Sequence, residues 1–254
     1  LSGGTSIMAI IDKPTDYFNT KLYSGTGSSQ SITGVGHQPD FVWIKCRSGT
    51  YATEEHNLFD RVRGTTKFVR SSSASAELTD TNSLSAFNSD GFTVVSRDSI
   101  NGSSSAYASW NWKAGGSGSA NTDGSINTSS TSVNTTAGFS ISKYTGNATN
   151  GATVGHGLGA VPDMIIGKDL SDTSAWGVWH KDLTNAGYKL VLSSTAAQSD
   201  DSALFGGSSR TLPTSSVFTL GSGGGLNGSN ANLVYCFAGK EGFSKFGKYI
   251  GNGN

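Results

Sequence analysis

Short apolar runs alternate along this chain with clusters of glycine, serine, threonine and asparagine. Residues 40–45 (DFVWIK) form one such run, which is entered through a proline. In residues 106–112 (AYASWNW), the alternation places Ala108, Trp110 and Trp112 on one face of a strand, where we expect the large rings to be buried. The pattern predicts many short strands joined by tight turns.

Helical patterns are confined to residues 54–64 and 176–187, where we nevertheless expect irregular strand and loop. The 35 glycines would cost backbone entropy in helices, and Ser, Thr and Asn compete for helical hydrogen bonds. The aromatic share of 10% is enough to fill a core, which argues against disorder. The sequence therefore predicts an all-β protein.

Several motifs occur twice in the same order, which indicates an internal repeat. The pairs are YSGTG (23–27) and YTGNA (144–148), GVGHQPDFVWIK (34–45) and GLGAVPDMIIGK (157–168), KFVRSSSA (67–74) and KLVLSSTA (189–196), GFTVVS (91–96) and VFTLGS (217–222), and ASWNW (108–112) and LVYCF (233–237). A third tyrosine motif, YIGNG, occupies residues 249–253. We therefore expect the native polypeptide to continue past Asn254.

Each copy has the size of a β-sandwich domain, so we predict two homologous units in tandem. The predicted organisation is a lead-in segment (1–16), a first β-sandwich repeat (17–116), a linker rich in Gly, Ser, Thr and Asn (117–137), a second β-sandwich repeat (138–247), and the start of a third repeat or a closing strand (248–254).

Charge is sparse and balanced, with 18 basic and 18 acidic residues. No basic stripe interleaves with aromatic residues, so we expect no nucleic-acid partner. The longest apolar run, residues 7–11, is too short to span a bilayer, and no signal-peptide layout is present, so we expect no membrane partner. The protein would reach its location by assembly or lysis, or through a targeting sequence outside this chain.

Segments across nearly the whole chain beyond the first dozen residues carry a resemblance to a known family. They are DKPTDYFNTKLYSG (12–25), GVGHQPDFVWIK (34–45), LFDRVRGTTK (58–67), TDTNSLSAFNSDGF (79–92), ASWNWKAGG (108–116), VGHGLGAVPDMII (154–166), LPTSSVFTLG (212–221) and GFSKFGKYIGNGN (242–254). They resemble a recurring module of unknown function in marine bacteriophage tail-fibre and virion structural proteins. The resemblance implies concanavalin-like jelly-roll sandwiches, which often bind carbohydrate or self-associate, and it implies no catalytic or binding residue.

Catalytic chemistry has little support in the sequence. Glycosidases need two carboxylates beside the scissile bond, yet no glutamate lies two residues from an aspartate. Adjacent Glu54 and Glu55 would point to opposite faces of a strand. His37 and His156 lie in glycine-rich turns, where histidine is more often a structural hydrogen-bonding group than a ligand. We expect no catalytic residue, no cofactor and no enzyme activity.

Metal binding is also disfavoured. Calcium takes several oxygen ligands, but the spacing of the candidate aspartates lacks the EF-hand pattern, so a solvated loop is the better interpretation. These aspartates are Asp169, Asp172, Asp200 and Asp201. Cys46 and Cys236 lack the spacing of a metal site, and we expect two free buried thiols.

The tryptophans allow two interpretations, burial in a core or stacking on sugar rings. Same-face alternation favours the core for Trp110 and Trp112. Trp176 and Trp179 lie in a polar, less regular stretch (SAWGVWHKD), and with His180 they are our candidate surface or glycan contacts.

The leading hypothesis is a non-enzymatic bacteriophage virion structural or fibre protein that mediates assembly and host attachment. It would be located in the extracellular particle. Its expected partners are other virion proteins, further copies of itself in a homo-oligomer such as a trimer, and a host cell-surface glycan. The alternatives are a carbohydrate-binding host-recognition lectin module, a capsular polysaccharide depolymerase, and a bacterial surface adhesin or filament subunit.

Overall fold

The structure, a computed structural model, describes residues 11–252, so most of the predicted lead-in segment lies outside the described residues. Within this range the chain forms strands, one 3₁₀ turn at Pro14–Asp16 and one short α-helix, α1, at Asp98–Asn101. None of these described helices is long and apolar enough to cross a bilayer. The all-β prediction is confirmed.

Two antiparallel sheets form from the first half of the chain. Its strands are Phe18–Ser24 (β1), Gln30–Thr33 (β2), Phe41–Ser48 (β3), Asn57–Asp60 (β4), Gly64–Val69 (β5), Leu78–Thr79 (β6), Leu84–Asn88 (β7), Gly91–Val94 (β8) and Ala106–Trp112 (β9). The first large sheet has the order β1-β9-β3-β4-β5-β6, and the first small sheet has the order β2-β8-β7.

Two further sheets form from the second half. Its strands are Thr128–Asn134 (β10), Phe139–Thr145 (β11), Thr153–Gly155 (β12), Met164–Asp169 (β13), Gly177–His180 (β14), Tyr188–Val191 (β15), Ser199–Asp200 (β16), Val217–Thr219 (β17) and Ala231–Phe237 (β18). The second large sheet has the order β10-β11-β18-β13-β14-β15-β16, and β12 pairs with β17 in the second small sheet.

The two large sheets have the same order of strands once β10 is set aside. Strands β1, β9 and β3 correspond to β11, β18 and β13. The next three strands in the two sheets also correspond, β4 to β14, β5 to β15 and β6 to β16. In the small sheets, β2 pairs with β8 as β12 pairs with β17. The sequence repeat therefore coincides with a repeated strand order.

The four sheets stack in layers, because alternate residues of each large sheet contact different neighbours. Val42 and Phe59 face the first small sheet in a first outer core, which includes Phe92. Val234 faces the second small sheet in a second outer core, which includes Phe218. The opposite faces of the two large sheets pack against each other.

This central cluster joins the halves of the chain. The first large sheet contributes Phe41 and Leu58, and the second contributes Phe139, Tyr235 and Phe237. The ring of Phe41 stacks on that of Tyr235 with centroids 4.4 Å apart, and on that of Phe139 at 5.9 Å. Because burial of such rings stabilises strongly, the halves share one apolar interface.

A buried ion pair lies at the edge of the same interface. Arg63 Nε donates to Asp60 Oδ2 at 2.6 Å, and neither side chain is exposed. The hydroxyl of Tyr235, from the other half, donates to the same carboxylate at 2.9 Å. Burial disfavours the charged guanidinium, but Asp60, Tyr235 and Glu77 outweigh burial and raise the pKa of Arg63. The guanidinium therefore stays charged and ties the halves together.

The tyrosine motif has the same role in both halves. Tyr23 Oη donates to the carbonyl of Ile100 at 2.7 Å, as Tyr144 Oη donates to that of Leu226 at 2.9 Å. The glycine of the motif is Gly25 in the first half and Gly146 in the second. At both positions a Cβ atom would collide with a backbone carbonyl. This close approach explains why the motif requires glycine.

A buried asparagine organises the loop that the tyrosine motif contacts. Asn101 Oδ1 accepts from the backbone N–H of Thr26 at 3.1 Å, and Asn227 Oδ1 accepts from that of Asn147 at 3.0 Å. Both asparagine side chains are fully buried and also donate to backbone carbonyls. The two amides therefore satisfy loop backbone groups that water does not reach.

Two departures from the predicted organisation concern the polar segments. The segment 117–137, predicted to be a linker, contains β10, which pairs with β11 at the edge of the second large sheet. Its buried hydroxyls bond to one another, with Thr128 Oγ1 2.9 Å from Thr131 Oγ1. In the third tyrosine motif, Tyr249 and Ile250 are almost fully exposed and lie outside any assigned strand.

The two cysteines are both free and buried, in agreement with expectation. Burial raises the pKa of the Cys236 thiol to about 12. The thiol is therefore protonated at neutral pH and unreactive as a nucleophile.

Two buried histidines predict a loss of stability in acid. Burial lowers the pKa of His37 and of His156, whose Nε2 lies 3.2 Å from the carbonyl of Thr214. Below a pH of about 6.5 the unfolded chain takes up protons that the folded chain resists. The free energy of unfolding, measured by urea denaturation, should therefore fall as the pH decreases from about 7.5 to about 5. His156→Gln should make this fall shallower, and an unchanged slope would contradict the assignment.

Candidate functional site

The structure places both candidate contact tryptophans in the interior. Trp176 is fully buried in the central cluster, and its Nε1 donates to the carbonyl of Arg70 at 2.8 Å. Trp179 is 3% exposed and packs in the second outer core, on the opposite face of β14. Because β14 lies between β13 and β15 and is covered on both faces, neither ring reaches the surface, in contrast to the expectation.

His180 is partly buried at the end of β14. Its Nδ1 accepts a hydrogen bond from the backbone N–H of Asp182 at 3.1 Å and lies 3.9 Å from Asp182 Oδ2. The ring therefore stabilises the turn that follows the strand, and it does not adjoin an exposed tryptophan from its own segment.

The candidate calcium ligands pair with other partners. Asp200 lies 2.5 Å from Arg210 Nη2, and Asp201 lies 2.6 Å from Lys189 Nζ. Asp169 accepts hydrogen bonds from the backbone of its own turn, in which Asp172 lies. Within residues 11–252, no three His, Cys, Asp or Glu side chains are grouped so that they could hold a metal ion.

The candidate site that the structure offers instead is a group of four rings on the first large sheet, which we call the ring patch. An open pocket of about 230 Å³ is lined by Trp43, His56, Trp110 and Trp112. Each of these side chains is partly exposed. Because partly exposed aromatic rings that line one pocket can contact a ligand, we take this patch as the candidate site.

The sheet register explains why these rings meet. Trp43 on β3 lies directly opposite Trp110 on β9, which lies opposite Thr20 on β1. Directly opposed residues place their side chains on the same face at short distance. The next row beyond Trp110 includes Leu22, whose side chain is 63% exposed, so the second large sheet leaves this end of the face uncovered.

On its other side the ring patch continues into the core. Trp112 stacks on Phe41 with centroids 4.9 Å apart and contacts Phe18 at 4.8 Å. Phe41 belongs to the central cluster, against which both Trp112 and Trp43 pack. One edge of the patch is therefore fixed by the interior, which limits the motion of its rings.

A hydrogen bond fixes the orientation of the histidine. Trp43 Nε1 donates to His56 Nδ1 at 2.8 Å, and the two rings meet at 82° with centroids 5.8 Å apart. Burial lowers the pKa of His56, and the charge of Lys45 lowers it further. The ring is therefore neutral at pH 7, and since Nδ1 accepts, its proton lies on Nε2.

Three N–H groups at the patch are available to a ligand. They belong to Trp110 Nε1, Trp112 Nε1 and His56 Nε2. In the described part of the chain none of the three has a hydrogen-bond partner, and none is among the fully buried polar atoms that lack one. The patch thus combines apolar ring faces with hydrogen-bond donors that are not fully buried.

Sequence reasoning missed this site because it chose the wrong face of β9. The alternation was predicted correctly, but Tyr107, Ser109 and Asn111 are the residues that are fully buried. Asn111 Nδ2 donates to the carbonyl of Asn19 at 3.0 Å and to Ser109 Oγ at 3.0 Å. Polar side chains can therefore occupy the inner face, while the indole rings lie on the partly exposed one.

The equivalent positions of the second half point into the interior. The repeat alignment places Ile166 at the position of Trp43 and Tyr235 at that of Trp110. Both Ile166 and Tyr235 are buried in the central cluster. The same sheet face is thus a packing surface in the second half and a partly open surface in the first.

Comparison with known protein families gives a match over most of the chain. A family described as "Domain of unknown function (DUF7483)" matches residues 13–254. No curated protein and no solved structure matches this chain.

Proposed function

We propose that this chain, which belongs to the DUF7483 family of domains of unknown function, is a non-catalytic structural component of a bacteriophage virion. In this proposal it is a fibre-type protein of the extracellular particle that mediates assembly and attachment to a host surface. Its partners are other virion proteins and further copies of itself, in a homo-oligomer such as a trimer.

The finer fold assignment is part of the same proposal. We infer two tandem homologous units, each a jelly-roll-like sandwich of the concanavalin type. The equal strand orders of the two halves support duplication. So do the paired roles of Tyr23 and Tyr144, and of Asn101 and Asn227.

The observation that carries the proposal is that equivalent polar groups of the two halves serve the framework in the same way. Asp40 pairs with Arg61 at 2.9 Å and accepts from the backbone N–H of Ala114 at 2.7 Å. Asp163 pairs with Lys181 at 2.8 Å and accepts from the backbone N–H of Gly239 at 2.6 Å. Such groups hold strands and loops in register, which is what a scaffold requires.

Two equivalent lysines of the repeat also bond to the framework. Lys45 Nζ donates to the carbonyls of Cys46 and Ala52 at 2.7 and 2.6 Å. Lys168 Nζ, which is fully buried, donates to the carbonyls of Asp169 and Asp172 at 2.6 and 3.2 Å. The equivalent ammonium groups therefore close equivalent loops rather than face a substrate.

Immunogold labelling of the phage particles that encode this chain tests the proposal. Antibodies raised against the purified chain should label a defined structure on intact particles. Label confined to the debris of lysed cells would overturn the virion assignment. Sedimentation of the purified chain measures self-association in parallel.

A carbohydrate-binding module for host recognition is the second candidate, and the ring patch favours it. A polysaccharide depolymerase is distinguished by incubating the chain with capsular polysaccharide of the host. We expect no new reducing ends in that assay, and their release would contradict the non-catalytic proposal.

A further inference from the structure

We propose that the ring patch of Trp43, His56, Trp110 and Trp112 binds one pyranose ring of a saccharide. This inference deepens the attachment part of the proposed function and rests on it. The proposed contact site lies at the uncovered end of one face of the first large sheet and not at the tryptophans of β14.

The shape and polarity of the patch fit this ligand. A pyranose presents an apolar face of C–H groups, which can stack on an indole, and a rim of hydroxyl oxygens, which accept hydrogen bonds. The pocket of about 230 Å³ is lined by rings alone. It is smaller than the roughly 300–1,000 Å³ of pockets that enclose drug-sized ligands, which suits one sugar ring of a longer chain.

The donors of the patch belong to side chains that line one pocket. Trp110 and Trp112 lie on neighbouring positions of one strand face, and His56 lines the same pocket. The His56 ring is held by Trp43, so its donor is oriented before a ligand arrives. Such preorganisation reduces the entropy that binding costs.

The neutral state of the patch also favours a sugar over an ionic ligand. The ammonium group of Lys45, whose charge acts on His56, donates to two backbone carbonyls. The hydroxyl of Thr20, directly opposite Trp110, is exposed and adds a group that can both donate and accept. The patch therefore offers stacking and hydrogen bonds without a formal charge of its own.

Titration of the full chain with saccharides tests the inference. The probes are β-linked tetrasaccharides of glucose, mannose, galactose and N-acetylglucosamine, followed by tryptophan fluorescence and saturation-transfer NMR. We expect at least one probe to bind and Trp110→Ala to weaken its binding about tenfold, the order of a ring-stacking contact. Trp110→Phe keeps a ring and loses the N–H group, so its affinity should lie between the two.

Leu212→Ala is the matched control, because Leu212 is 60% exposed in the second half of the chain. It should leave binding unchanged. The inference is overturned if no probe binds at about 10 mM, or if binding survives Trp110→Ala and Trp43→Ala undiminished. It is also overturned if sedimentation shows a dimer that Trp110→Ala dissociates, which would assign the patch to a second copy. Particle labelling without saccharide binding would leave the virion role standing and remove only this inference.

Discussion

Replacing Arg63 by methionine is expected to lower the free energy of unfolding by about 3–5 kcal/mol, because it leaves a buried carboxylate without its partner. The side chains of Arg63 and Asp60 are both fully buried and lie 2.6 Å apart. Arg63 also donates to the carbonyl of Leu58 at 2.9 Å, and this acceptor would lose its donor as well. Urea denaturation followed by fluorescence measures the change.

Arg210→Met provides the control for this measurement. Arg210 pairs with Asp200 at 2.5 Å, a shorter contact than that of Arg63, but both side chains are substantially exposed. Water solvates the remaining carboxylate there, so the loss should be much smaller than that of Arg63→Met. Equal losses in the two variants would show that burial does not determine the strength of the Arg63 pair.

Phe41→Ala is expected to cost about 3–5 kcal/mol of stability, the range for deleting a buried aromatic ring. Phe41 is 1% exposed and stacks on rings from both halves of the chain. Its removal should leave a cavity between the two large sheets. The wild-type chain should unfold in one transition by calorimetry, since both halves share this cluster.

Met164→Ala is the matched control, because Met164 occupies the position of Phe41 in the sequence repeat. Met164 is only partly buried and packs at the edge of the central cluster. Its truncation should cost clearly less than that of Phe41. A loss as large as that of Phe41→Ala, or two separate transitions in the wild type, would contradict a central role for Phe41.

The strands were predictable because their signals are local. Residues 40–45 and 163–168 contain the starts of β3 and β13, each two residues after a proline. The order of the motifs also predicted that the two halves would share a strand order. Short apolar runs flanked by turn residues carry this information without knowledge of the tertiary structure.

The packing of the halves was not predictable in the same way. Composition suggested a free linker at residues 117–137, yet Thr128 and Thr131 of this segment bond to each other, and Thr131 bonds to Ser142 of β11, in a partly buried edge strand. Apolar residues on both faces of β18 do show that both faces of the strand are covered, but they do not show which sheet covers each face. That information lies in contacts between distant parts of the sequence.

The contact site predicted from the sequence at Trp176 and Trp179 was wrong for a related reason. Trp176 and Trp179 lie in a polar stretch, but each ring finds a different apolar layer on either side of β14. Trp110 looked like a core residue because its strand alternates, and alternation alone does not identify the inner face. The buried side chains Ser109 and Asn111 reverse the usual assignment of polar residues to the outside.

The unequal covering of the two large sheets makes the two halves of the chain different in what they expose. One half has its equivalent face sealed and contributes rigidity, while the other presents aromatic rings at one end only. Substitutions in the open row around Trp110 and Leu22 can therefore change the exposed surface while the sealed half preserves the architecture. Two halves with the same strand order in this way separate the part that must stay constant from the part that is free to diversify.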